Sequence, residues 1–414
     1  MSRLDKMKKH ITKHGGILIW VTIAEVLAMS LWFSASAVST TLATVMKLSP
    51  FQVPWITASV QIGFVVGAML SAIFGIQDRV NPRFLFPASA VLASVFNLLF
   101  VFEVHIVILG FILRFLTGMF LAGIYPVAVQ FISLWFPKRR GLAIGILIGG
   151  LTLGSALPEF VVGLAFAGTW NTLIMISSGL AFIAAIISII TFHDAPISIR
   201  TQKFKLSSVS KIIKNRSLMY DNVGYFGHMW ELYAMWTWLP TFLYLSWNDY
   251  FTGQSLLEYS TIASFVSIGV AGIIGAVIGG HIADKIGRTA ETAGSMLISG
   301  LCAVIIGITF GDIPIITFAV AFIWGITVIS DSAQFSTAVT ELAPSEYVGS
   351  ALTFQMAVGF LLTVGSINLI GYVIPIVGWR YAFSLLSLGP LIGIISMLKL
   401  RKSPDSIIMA SGKR

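Results

Sequence analysis

Twelve runs of about twenty apolar residues, each closed by a short polar break, dictate what this chain can fold into. They fall near 17–39, 52–74, 84–102, 106–132, 141–164, 171–192, 220–245, 258–280, 290–310, 313–335, 348–374 and 380–399. A helix of that length crosses a hydrocarbon core of roughly 30 Å while satisfying its own backbone polar groups, which lipid cannot do. The breaks hold helix-ending residues: Ser49 and Pro50, Asn81 and Pro82, Pro137, Ala343 and Pro344, and Gly378. Composition agrees: 57% of residues are hydrophobic and 10% charged, against about 45–50% and about 25% for a soluble domain. So few charges cannot cover so much apolar surface in water, which excludes a soluble enzyme, a disordered chain and a nucleic-acid-binding domain. The sequence predicts an all-α polytopic membrane protein with twelve transmembrane helices. The run that begins after Gly16 is too long for a signal-peptide core and reads as the first of them.

The basic residues are sorted by side. Of the 26 Lys and Arg, 23 fall on one face of a twelve-span topology; Lys47, Arg114 and Arg380 do not. By the positive-inside rule both termini are expected in the cytoplasm, with the protein in the plasma membrane. The net charge of +9 is thereby an orientation signal and calls for no nucleic-acid partner. The long basic segment 193–217 carries Arg200, Lys203, Lys205, Lys211, Lys214 and Arg216, with a loosely amphipathic pattern suited to a membrane surface.

A shift of 206 residues superposes the two halves of the chain. Glu25, Ala28, Met29 and Trp32 fall on Glu231, Ala234, Met235 and Trp238; Asp78 and Arg79 fall on Asp284 and Lys285; Gly63 falls on Gly269. An even number of spans makes such repeats parallel, as in transporters that hold substrate at the midplane between halves. The expected organisation is a six-helix bundle over 1–192, a linker over 193–217 and a second bundle over 218–414.

The loop after the eighth span reads Gly280, Asp284, Lys285, Gly287, Arg288, and the loop after the second reads Gly75, Asp78, Arg79, Arg83 with Asn81 and Pro82 between. With Arg114 followed by Gly118 and Gly123 in the fourth span, these residues resemble the Major Facilitator Superfamily over essentially the whole chain. The texture of spans 4, 5 and 7, from Tyr125 and Pro126 to Pro158, is loosely similar to prokaryotic members grouped with nitrate/nitrite porters. Those porters hold their anion with an Arg in spans 2 and 8; this chain has Gln61, Ser264 and Ser267 there, so a nitrate function does not follow. The resemblance implies two pseudo-symmetric six-helix halves that rock alternately. It also implies that Asp78, Arg79, Asp284, Lys285 and Arg288 form a cytoplasmic latch; a solvated turn that only sets topology is the simpler alternative.

A charge at the bilayer centre costs about 2.5–3.5 kcal/mol or more, so each ionisable residue within a span must be neutral, paired or facing water. Glu25, Arg114, Glu159, His228, Glu231 and Asp331 are the candidates. Glu25 and Glu231 are repeat mates, and His228 lies one turn before Glu231. A carboxyl group in a low dielectric holds its proton more readily than in water, and an imidazole titrates near neutrality. Together they suit proton loading and release; the plainer reading is a protonated Glu bonded to a neighbouring helix. Arg114 and Glu159 sit at matching depth near the outer end and are expected to pair. Asp331 lies close enough to the cytoplasmic end to be either a solvated cap or a cavity residue. Trp32 and Trp238 are placed to stack on an organic solute or to pack, and Gln61 and Gln355 to bond a solute or another helix. Cys302 stands alone, and no metal, nucleotide or nucleophile motif occurs. The sequence therefore predicts no cofactor, no metal and no enzyme. It points to a functional monomer in the bilayer that moves a small organic solute by alternating access, with protons as the coupled ion. The alternatives are a uniporter or exporter of a cationic or amphipathic solute, or a receptor that keeps the fold without transport.

Overall fold

The computed structural model describes residues 3–136, 140–164, 169–193, 206–344 and 346–413. Its principal helices are α1 (Arg3–Phe33), α2 (Trp55–Phe74), α3 (Pro82–Glu103), α4 (Val107–Trp135), α5 (Arg140–Gly163) and α6 (Trp170–Thr191), then α7 (Arg216–Ser246), α8 (Gly253–Ile286), α9 (Arg288–Ile308), α10 (Pro314–Leu342), α11 (Val348–Val377) and α12 (Trp379–Lys402). No strand occurs among the described residues. Eleven of these helices are long and apolar enough to cross a membrane. The exception is α7, which at 31 residues is long enough but carries Asp221, Asn222, His228 and Glu231, all buried.

Local chemistry sets the ends. Asn81 accepts a hydrogen bond from the Arg83 amide at 3.0 Å and Pro82 takes the first position of α3. Asn215 does the same for α7 through the Leu218 amide at 3.1 Å. Helix α4 is interrupted between Leu121 and Tyr125, and α10 at Asp331. The 206-residue shift maps the turn at 122–124 onto 328–330, directly before Asp331, so the two breaks fall at nearly matching places in the repeat. A π-turn at Val266–Val270 interrupts α8.

Helices α1–α6 pack mainly with one another and α7–α12 likewise. Small residues permit the close approaches: a Cβ on Gly63 of α2 would strike the Phe115 carbonyl of α4, and one on Gly118 would strike the Val60 carbonyl. The two groups meet where α5 packs on α8 and α2 on α11. Phe160 and Phe265 rings lie 4.8 Å apart, Phe64 and Phe360 4.6 Å, and Phe51 and Tyr372 5.6 Å. At the centre Trp32 contacts Phe64, Tyr233 and Phe360, so aromatic rings from α1, α2, α7 and α11 form one plug. These contacts run from mid-height to the face opposite the basic loops; nearer the basic face, a Cβ on Gly145 of α5 would meet nothing within 4 Å.

Residues 194–205 of the basic segment lie outside the described residues. Its last part, the helix Leu206–Lys214, packs against α7 and α11 with Ile212 fully buried.

Candidate functional site

The densest buried polar group lies inside the second set of helices, where α7, α9 and α10 meet. Glu231 is 1% exposed. Its carboxylate accepts one hydrogen bond from Ser299 Oγ of α9 and another from Trp324 Nε1 of α10, each at 2.8 Å. His228, one turn earlier on α7, does not reach Glu231; its Nδ1 stands 2.9 Å from Oδ1 of Asp331. Among the described residues His228 Nε2 has no hydrogen-bond partner. Asp331, at the break in α10, is buried beside His228. Cys302 of α9 lies within electrostatic range of Glu231.

The mates in the first half are arranged differently. Glu25 is fully buried, and neither carboxylate oxygen has a hydrogen-bond partner among the described residues. It faces α5 at Gly150, where an added Cβ would come 3.5 Å from Glu25 Oε2, and Tyr125 lies within electrostatic range. Thr22, the mate of His228, also has an unpartnered hydroxyl. The bonded carboxylate thus stands in one half and the unbonded one in the other.

The expected Arg114–Glu159 pair is not formed. Arg114 is fully buried and donates to Asn97 Oδ1 at 2.6 Å, to Ser34 Oγ at 3.2 Å, and to the carbonyls of Leu31 and Trp32 at 3.3 and 2.8 Å. The physical reason is the end of α1 at Phe33. Its last carbonyls lack intrahelical partners and carry the negative end of the helix dipole, so they satisfy a cation without a carboxylate. Glu159 is buried on α5 with Oε2 unpartnered.

Trp32 and Trp238 diverge. Trp32 sits in the central plug with its Nε1 unpartnered, whereas Trp238 donates to the Ile367 carbonyl at 3.0 Å and packs on Trp379. Trp238 thus packs between α7, α11 and α12. Gln61 is buried with both amide atoms unpartnered, and Gln355 donates to Asp221 Oδ2 at 2.8 Å. Of the latch, Arg79, Asp284 and Lys285 are exposed, and the side chain of Asp78 lies outside the described residues. Arg288 grips Glu341 through two bonds of 2.8 and 2.7 Å and donates to Gln334 at 2.8 Å. Those bonds join α9 to α10 within one half; they do not bridge the halves.

Three groups escaped the sequence reading. Asp221 and Glu291 lie within a turn or two of a helix start, where sequence alone does not tell a solvated acid from a buried one, and both are buried. Asn97 carries no charge and was passed over. The one available signal was periodicity: Glu291, Ser295 and Ser299 recur every four residues and so share one face of α9. No group of three or more His, Cys, Asp or Glu placed to hold a metal occurs among the described residues.

Twelve long helices in two packed sets, eleven of them long and apolar enough to cross a membrane, around a buried cluster of ionisable side chains, define a multi-pass membrane protein of the transporter class. Residues 21–367 match the Major Facilitator Superfamily, and the chain belongs to it. A relative in Escherichia coli, the probable galactarate/D-glucarate transporter GudP, is 22% identical over 97% of this chain and 99% of its own. The hexuronate transporter of Bacillus subtilis is 24% identical over 66% of this chain and 65% of its own. Among solved structures, the nucleoside transporter NupG superposes with a TM-score of 0.71 at 14% identity, covering 93% of this chain and 100% of that one. The proton:xylose symporter XylE gives 0.70 at 14%, covering 94% and 96%. These relatives are transporters rather than enzymes. The loose likeness to nitrate/nitrite porters is not shown by them.

Proposed function

We propose that this protein is a proton-coupled secondary transporter of a small organic solute, working as a monomer by alternating access between its halves. In this reading residues 1–192 and 218–414 form the two bundles, and both termini lie on the cytoplasmic side of the plasma membrane. One observation carries the coupling. A fully buried glutamate, Glu231, is held by two donors at mid-membrane depth, close to a histidine–aspartate contact. An ionisable residue so placed is a functional site by default, because burying it is costly unless a proton comes and goes. Organic acids lead the list of solutes, since relatives are named for galactarate, glucarate and hexuronate. A carboxylate solute that travels with a proton also crosses with reduced charge.

The test is uptake by proteoliposomes of labelled glucarate, galacturonate, glycerol 3-phosphate and xylose, with and without an imposed pH gradient. Uptake of at least one that rises when the outer solution is acidified supports the reading; uptake indifferent to the gradient refutes coupling.

A second reading rests on Glu25, whose two bare oxygens lie two turns from the aromatic ring of Trp32. That arrangement favours a cationic or amphipathic solute. Tetraphenylphosphonium that raises the melting temperature of the wild type but not of Glu25→Gln supports it; equal shifts rule it out.

A further inference from the structure

The polar groups of the second half form a line from the basic face to the bilayer centre. Glu291, Ser295 and Ser299 occupy one face of α9, and a rise of about 1.5 Å per residue puts Ser299 roughly 12 Å deeper than Glu291. Ser295 Oγ donates to Glu291 Oε1 at 2.8 Å and lies 2.6 Å from Ser330 Oγ of α10. Ser330 adjoins Asp331, Asp331 meets His228 at 2.9 Å, and Ser299 donates to Glu231 at 2.8 Å. Asp331 lies within electrostatic range of both Glu291 and Glu231 and so stands at the junction.

We propose that Glu291 is the proton port on the basic face, passing protons through Ser295, Ser330, Asp331 and His228 to Glu231. This rests on the proton-coupled reading of Glu231 and extends it to residues that reading does not use. A proton from water at the basic face binds the Glu291 carboxylate. The Ser295 and Ser330 hydroxyls each accept one proton and release another, and the same count holds at Asp331 and His228, so one proton arrives on Glu231 and the relay returns unchanged. Two links remain, from Ser330 to its neighbour Asp331 on α10 and from His228 to Glu231 three residues on along α7; the proposal assigns each to a bridging water or a rotamer change.

The groups that face this line are few. Glu231 faces Asp331 of α10, Cys302 of α9 and its own neighbour His228; Glu291 faces Asp331. Nearer the surface, Asp221 faces Arg288 and Glu341, which hold each other. An acid in the first turn of α9 also complements the helix dipole. That static role needs neither burial to 3% exposure nor a hydroxyl chain leading inward, and Glu291 Oε2 is left without a partner.

The test follows the carboxylic C=O stretch of Glu231, assigned by its loss in Glu231→Gln, by infrared spectroscopy of the full chain in phosphatidylcholine nanodiscs after a pH jump. Glu291→Gln is expected to slow protonation of Glu231 by roughly a hundredfold, the scale of a positioned proton-transfer group, with the endpoint unchanged. Ser295→Ala is expected to act in the same direction, and serves alone if Glu291→Gln does not fold. Glu346→Gln, an exposed acid on the same face, leaves the rate unchanged. Wild-type rates in both Glu291→Gln and Ser295→Ala overturn the port. A Glu231 band that never responds to pH in the wild type overturns the coupled reading itself, and the port with it.

Discussion

Arg114 shows how a charge survives inside an apolar body without an opposite charge. Its guanidinium completes the end of α1, taking the carbonyls of Leu31 and Trp32 together with Asn97 and Ser34. Hydrogen bonds to a charged group contribute about 1.5–3 kcal/mol. A double-mutant cycle between Arg114→Met and Asn97→Ala, read by chemical denaturation, is therefore expected to give a coupling of about that size. The same cycle with Glu159→Gln is expected to give close to zero; a large coupling there would restore the discarded ion pair. The sequence marks Arg114 as unusual because charge is scarce here. It does not reveal the partners, since a carbonyl becomes available only where a neighbouring helix ends. The same limit explains His228: sequence spacing ties it to Glu231, yet the break in α10 delivers Asp331 to it instead.

At the scale of helices, packing depends on where side chains are missing. A Cβ on Gly63 would overlap the Phe115 carbonyl, so Gly63→Ala is expected to lower stability by about 1–3 kcal/mol as overpacking does. Gly294→Ala, in the interior of α9 with nothing within 4 Å, is expected to change it by less than about 1 kcal/mol. A thermal-shift comparison of the two reads the difference; equal shifts would mean that α2 and α4 are not packed as described. Helix number and approximate limits were legible because apolar run length has one solution in lipid. The interruption of α4 has a local cause in Gly123 and Pro126, whereas the one of α10 at Asp331 was not legible, because no Gly or Pro stands there to force it. Glu291 was missed for a related reason: burial of a helix's first turn depends on what packs over it.

At the scale of the molecule, the halves touch from mid-height to the face opposite the basic loops. With Cys302 replaced by Ser, the pair Phe51→Cys and Tyr372→Cys, whose native rings lie 5.6 Å apart, is expected to be joined by a short bifunctional thiol reagent and transport thereby arrested. Failure to cross-link would mean that this face is open in the resting protein. The central claim is that Glu231 carries the transported proton, and once a solute has been found in the uptake screen one comparison tests it directly. Proteoliposomes bearing wild type or Glu231→Gln are loaded for solute counterflow and, separately, for accumulation driven by a pH gradient. The account predicts that Glu231→Gln keeps counterflow, because the neutral side chain mimics the protonated carboxyl, and loses gradient-driven accumulation. Accumulation at the wild-type level in Glu231→Gln would contradict it.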